Sequence, residues 1–174
     1  MLGVGEKLPE FEVVGVKPKF MKHEENGESA FEPITEKSFE GKWKIIFFYP
    51  KDFTPGCTAE SCAFRDRYEV FTDAGAEVMG ISRDGVDKHR DFVAKHNLTF
   101  HALSDPDGSV HRLFRVKDTI PFLIPGRETF VIDRDGVIRH HFGSQINATK
   151  HVDEALSVVR ELQRERQAAA AASE

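Results

Sequence analysis

From Ile45 to Tyr49 the chain is apolar at every position. Trp43 precedes this run, Lys44 is its one interruption, and Gly41 and Pro50 bound it. Successive side chains of a strand point to opposite faces, so a strand without polar alternation has no face to offer water. The run is too short for a core helix, and it therefore predicts a strand inside a sheet covered on both sides. A helix start follows within a few residues. Thr54 is a capping residue type and Pro55 suits the first helical position. Phe64, Tyr68 and Phe71 then recur at spacings of four and three, one apolar stripe of a helix predicted over Pro55 to Asp73, which Gly75 ends.

The rest of the chain alternates in the same way. Phe11 to Val16 predicts a strand. Lys17 to Glu36 is polar, interrupted by Pro18, Gly27 and Pro33, and reads as loop with one strand near Phe31. Glu77 to Ser82 is a second core strand. Asp87 to His96 is a helix with Phe92 and Val93 inward, and Phe100 to Leu103 a third strand. Asp105-Pro106-Asp107-Gly108 is turn chemistry, followed by a short helix through Phe114. Thr129 to Ile132 and Val137 to His140 flank Asp133-Arg134-Asp135-Gly136, a hairpin signal. Val152, Leu156, Val159 and Leu162 mark a last amphipathic helix.

From the first core strand this order is β-α-β-α-β-α-β-β-α. It predicts an α/β fold with a central, mostly parallel mixed sheet flanked by helices, an antiparallel hairpin edge and an N-terminal strand and loop extension. A cysteine turn after a central strand, with a terminal ββα unit, is the thioredoxin-like arrangement. Residues 1–166 are expected to form one domain. The tail 167–174 holds five alanines and no anchor, and is expected to be flexible or to fray as a helix extension.

A net charge of -5 gives nucleic acid and anionic membranes no attraction. No apolar run approaches membrane-spanning length. The start Met1-Leu2-Gly3-Val4-Gly5-Glu6-Lys7 lacks a basic region followed by a long apolar stretch, so a cytoplasmic location is expected. Fifteen phenylalanines against one tryptophan and two tyrosines predict a Phe-rich interior.

Cys57 and Cys62 are the only cysteines. A structural bridge over so short a segment constrains the unfolded chain very little. Cys57 falls in the first turn of the predicted helix, where free backbone N–H groups and the helix dipole favour negative charge. A sulfur placed there is favoured as thiolate, the nucleophilic form. Backbone N–H groups near Gly56 and Cys57 supply a donor set, and the Thr54 hydroxyl, three residues earlier, can face the sulfur or a bound oxygen. Pro50 would shape the turn and exclude water. Glu60, one turn on, either orients an arginine or sits at the surface. His89, His96, His101 and His111 are scattered, and His140 and His141 face opposite ways on a strand. Neither set makes a recognisable zinc site with two cysteines, so no metal and no cofactor are expected.

These residues resemble a peroxiredoxin. Pro50, Thr54 and Cys57 match the family pattern Pro-x-x-x-Thr-x-x-Cys. The fuller stretch Phe48-Tyr49-Pro50-Lys51-Asp52-Phe53-Thr54-Pro55-Gly56-Cys57, with Cys62 and then Phe64-Arg65-Asp66, resembles the peroxiredoxin Q, or bacterioferritin comigratory protein, branch. Leu123 to Asp133 and Lys150 to Glu154 extend the likeness, which covers roughly residues 40 to 160. The resemblance implies a thiol peroxidase acting on hydrogen peroxide and organic hydroperoxides. It implies Cys57 as nucleophile, Arg127 in the same pocket, and Cys62 condensing with the sulfenic acid to an intramolecular disulfide. Thioredoxin or a similar dithiol would recycle that disulfide. Residues 17 to 40 are longer and more charged than a compact member of the branch needs, which bears on assembly; a monomer or weak dimer is expected. Two other functions fit the residues less well: a dithiol–disulfide reductase, whose usual Cys-x-x-Cys spacing is absent, and a non-enzymatic redox sensor or holdase.

Overall fold

A computed structural model describes residues 2–18, 29–121, 123–144 and 147–173. Three strands come first: β1 (Glu12–Val16), β2 (Phe31–Thr35) and β3 (Trp43–Phe48). Helices α1 (Pro55–Asp66) and α2 (Tyr68–Asp73) follow, then β4 (Ala76–Ser82), α3 (Val86–His96), β5 (His101–Ser104) and α4 (Ser109–Leu113). The chain closes with β6 (Glu128–Ile132), β7 (Ile138–Gly143) and α5 (Lys150–Ala172).

All seven strands form one sheet in the order β2-β1-β5-β4-β3-β6-β7. The run that predicted a two-sided strand is β3, buried at all six positions and flanked by the fully buried β4. The sheet is mixed, but its parallel part is smaller than expected. Only β3–β4 and β4–β5 pair in parallel. The β6–β7 hairpin closes one side antiparallel, as predicted, and the N-terminal β1–β2 pair closes the other against β5. The strand near Phe31 is β2; the polar stretch 19–28, expected as loop, lies outside the described residues.

The alternation along β3 divides the core in two. Ile45 and Phe47 face a layer built from Phe64, Phe71, Phe92, Val152 and Val159, contributed by α1, α2, α3 and α5. Ile46 and Phe48 face Val110, Phe114, Phe130 and Ile138, with Leu2 and Phe11 of the N-terminal segment. The Phe-rich interior shows in the stack of Phe47 on Phe64, centroids 4.4 Å apart. Gly80 on β4 makes room for it, since a Cβ there would stand 2.7 Å from the Phe47 ring.

One local expectation needs correction. The helix predicted over Pro55 to Asp73 is broken at Arg67, which leaves helical geometry at φ -102°, ψ 4°. No glycine or proline marks the break. Beyond it the Tyr68 hydroxyl donates to Glu77 Oε1 at 2.9 Å, tying α2 to β4. At the other end, Ala-rich residues after Gln167 continue α5 to Ala172 with exposed side chains, the helix-extension alternative for this tail. Among the described residues, no helix is long and apolar enough to cross a membrane.

Candidate active site

The turn from β3 into α1 carries the candidate residues, and it is braced from beneath. The Tyr49 hydroxyl donates to Asp52 Oδ1 at 2.6 Å, and His89 Nδ1 lies 2.5 Å from Asp52 Oδ2. His89 Nε2 faces the Leu103 carbonyl at 2.8 Å. The Asp52 amide donates to Asp84 Oδ2, which also accepts from Ser82. Burial raises the Asp84 carboxyl, but the Asp52 amide, Ser82 and Lys88 together outweigh it and hold the group below its usual range. Asp52, Asp84 and His89 offer ligand atoms within 4.8 Å of one another, as a metal site would. Their facing atoms, however, are committed to these hydrogen bonds, so the cluster serves as a clamp between this turn, β4 and α3. Above it, Phe53 takes φ 64°, a left-handed conformation costly for an aromatic residue, with its ring against Phe92.

Thr54 has the extended backbone of a helix cap (φ -81°, ψ 149°) and Pro55 takes the first helical position, as predicted. The predicted side-chain cap is absent. The Thr54 hydroxyl instead donates to the Lys51 carbonyl at 2.8 Å, closing the turn on itself. Thr58 makes the first amide bond of the helix, to the Thr54 carbonyl. The amides of Gly56 and Cys57 precede that bond, so they belong to the helix end whose N–H groups look outward. Cys57 sits there with 1% of its surface exposed. Pro50 is half-buried at the start of the turn.

Arg127, two residues after Pro125 and just before β6, reaches this helix end. Its Nη2 donates to Cys57 Sγ at 3.3 Å and its Nη1 to Glu60 Oε1 at 2.8 Å. The guanidinium is buried, at 5% exposure. Burial opposes its charge, but Glu60 and the Cys57 sulfur more than compensate and raise its pKa. Gly56 leaves the space for it: a Cβ at this position would stand 3.2 Å from Arg127 Nη2. Glu60, left open between two roles by sequence, is the orienting one. It is fully buried, and burial pushes its carboxyl up to about 8 against the pull of Arg127.

Behind Glu60 stands His151 of α5, which sequence reading did not single out. Its Nδ1 lies 2.7 Å from Thr129 Oγ1 and its Nε2 3.0 Å from the Ser144 carbonyl. Burial lowers the ring to about 4, so it is neutral near pH 7 and its 3.7 Å approach to Glu60 Oε2 is not an ion pair. Thr129 and His151 lie 22 residues apart on different elements, so no spacing pattern announces them.

Cys62 lies on the same helix as Cys57, half-buried, and both thiols are free. The structure thus brings Cys57, Arg127 and Glu60 together, holds Thr54 and Pro50 in the adjoining turn, and leaves Cys62 further along the helix.

Comparison with known proteins shows the family. A model of the AhpC/TSA family matches residues 4–141. A chloroplastic peroxiredoxin Q of Sedum lineare is 43% identical over 130 residues, which cover 75% of this chain and 70% of the relative. The chain spans 66% of the length of those from Triticum aestivum and Suaeda salsa. Among solved structures, Mycobacterium tuberculosis AhpC superposes with a TM-score of 0.80 at 27% identity, covering 95% of each chain. Xanthomonas campestris peroxiredoxin Q does so at 0.69 and 32% identity, over 75% of this chain and 85% of its own. The expected cytoplasmic location is overturned by the plant relatives, which are chloroplastic by name. That expectation had rested on a missing apolar leader, and a leader's absence does not report where a chain works.

Proposed function

This chain belongs to the AhpC/TSA family, and from that premise we propose that Cys57 is the attacking thiolate of a thiol peroxidase that reduces hydrogen peroxide and organic hydroperoxides. The observation that carries the reading is the Arg127 guanidinium 3.3 Å from a buried sulfur at a helix N-terminus. A fixed positive donor set in a largely buried site stabilises both the thiolate and the charge that develops on the departing oxygen. A dithiol reductase has no use for that contact.

In the reaction the sulfur attacks the terminal oxygen of R–O–O–H. An S–O bond forms, the O–O bond breaks, and the other oxygen leaves as alkoxide, to be protonated to the alcohol. Cys57 is then a sulfenic acid, the reversible first rung of thiol oxidation. The Cys62 thiol displaces the sulfenic oxygen as water and forms an intramolecular disulfide. Thioredoxin, or another dithiol, reduces that bond and resets the site. Thr54 and Pro50 shape the turn that presents the sulfur.

Geometry sets a condition on the second step. Cα atoms five positions apart on a helix are roughly 8–9 Å apart from its rise and turn, whereas a disulfide tolerates at most about 7 Å. Since α1 is continuous from Pro55 to Asp66, its first turns must unwind before Cys62 can reach Cys57. Following thiol loss after one equivalent of hydrogen peroxide at neutral pH, in the native chain and in Cys57→Ser, tests the assignment.

A further inference from the structure

Arg127 is one cation between two groups that can each become an anion. Cys57 lies on one side and Glu60 on the other. If both ionise, the buried site carries one uncompensated negative charge. The surroundings of Glu60 show which of the two gives way. Its Oε1 accepts from Arg127, while Oε2 is buried and has no hydrogen-bond partner among the described residues. His151 Nδ1 stands across from Oε2, 3.7 Å away. The Ser144 carbonyl requires a hydrogen on His151 Nε2, so in a neutral ring Nδ1 presents a lone pair, which accepts from the Thr129 hydroxyl. An ionised Oε2 would therefore face a lone pair with no donor, in a place closed to water. A protonated Oε2 also lacks a hydrogen-bond partner there, but it carries no charge to leave unpaired.

Given Cys57 as the nucleophile, we propose that Glu60 is the proton reservoir of the site, a carboxylic acid while Cys57 is a thiolate and a carboxylate once Cys57 is a sulfenic acid. In the reduced state thiolate and guanidinium balance, and Glu60 is neutral. Oxidation removes the charge on sulfur. Arg127 is then left with Glu60 alone, and ionising Glu60 restores neutrality. The overall step is thiolate plus carboxylic acid plus R–O–O–H giving sulfenic acid, carboxylate and R–O–H. Sulfur supplies two electrons to the O–O bond, the terminal O–H stays on sulfur, and the proton lost by Glu60 balances the one gained by the alkoxide. No proton is then drawn from solvent on balance. The raised carboxyl of Glu60 and the lowered ring of His151 agree with this placement. Among the described residues, the charged and titratable groups against Glu60 are Arg127 from the β6 approach and His151 from α5, with Cys57 of α1 on the far side of the guanidinium. Glu154, further along α5, is bound by His140. An opening of about 450 Å³ touches both Arg127 and Ser144, so solvent reaches residues flanking the pair.

The test is the proton count of a single oxidation. Cys62→Ser stops the chain at the sulfenic acid. Mixed with one equivalent of hydrogen peroxide in weak buffer with a pH-indicator dye at pH 7, it is expected to take up close to no proton per Cys57 oxidised. The double variant with Glu60→Gln, which mimics the protonated acid but has no proton to release, is expected to take up one. Rapid oxidation with one proton taken up by both chains overturns the inference and leaves the nucleophile assignment standing. Absence of rapid oxidation in Cys62→Ser removes both. Should the double variant fail to fold, the infrared difference spectrum of Cys62→Ser before and after peroxide decides. Loss of a protonated-carboxyl C=O band with gain of a carboxylate band supports the proposal, and no carboxyl change overturns it.

Discussion

Arg127 donates to the Cys57 sulfur at 3.3 Å across 70 positions of sequence, and it does so through the gap left by a glycine side chain. The contact joins the approach to β6 with the start of α1, two elements that the sheet brings side by side through the β3–β6 pairing. Removing the guanidinium takes away a cation in contact with the sulfur. For Arg127→Gln the second-order rate of Cys57 oxidation is expected to fall by about 10²–10³, the usual cost of losing a preorganised charge-stabilising donor. Stopped-flow thiol loss at neutral pH measures it.

Gly56→Ala separates placement of the guanidinium from fold stability. The new Cβ would press on Arg127 Nη2 from 3.2 Å, while the backbone of α1 is ordinary helix there. The oxidation rate is expected to drop roughly 10-fold or more, since small displacements of a catalytic group are costly. Stability is expected to hold or rise by up to about 1 kcal/mol, the helix preference of Ala over Gly. Rate and denaturant midpoint on the same sample check both halves.

Cys62→Ser should keep the first oxidation at its native rate and lose turnover driven by thioredoxin. In the native chain, amide hydrogen exchange across residues 57–62 should be faster in the disulfide form than in the reduced form, because the first turns of α1 cannot close over that bond. Exchange equally slow in both forms would mean that no unwinding takes place.

Stability should depend on pH through two buried groups with opposite signs. His151 is held neutral by burial down to about 4, against 6.5 when free. As pH falls from 6.5 towards 4, the unfolded chain takes up a proton that the folded one refuses, so stability declines, by roughly 3 kcal/mol. Glu60 is raised from 4.5 to about 8. As pH rises between those values the folded chain retains a proton that the unfolded one has lost, so stability declines again. The two effects overlap between 4.5 and 6.5 and offset one another there, so urea midpoints should be nearly level over that range and fall from 6.5 towards 8, and Glu60→Gln should remove that upper fall.

What could be read without the fold was whatever rests on local pattern. The apolar run around Ile45 to Tyr49 disclosed β3, and the Asp133–Gly136 turn disclosed its hairpin, where Asp133 Oδ1 accepts from the amides of Asp135 and Val137. Thr54 and Pro55 located the start of α1, although the Thr54 side chain bonds backwards to Lys51 rather than capping. The break at Arg67 left no trace, because no glycine or proline marks it. Glu60 offered itself as a partner for an arginine, but its approach to the His151–Thr129 pair, like the Asp52–His89–Asp84 clamp, was equally silent. Each joins single polar residues from separate elements, and no period or motif links them. Arg127 itself was reached only through family likeness, since one arginine before a strand is ordinary.

The account stands on Cys57 being a charged, ready nucleophile. One equivalent of hydrogen peroxide added to the reduced chain at pH 7, with free thiols counted over time, tests that most directly. Thiol should vanish far faster than from free cysteine, and Cys57→Ser should abolish the fast phase. Loss at the free-cysteine rate, or a fast phase that survives in Cys57→Ser, would contradict it.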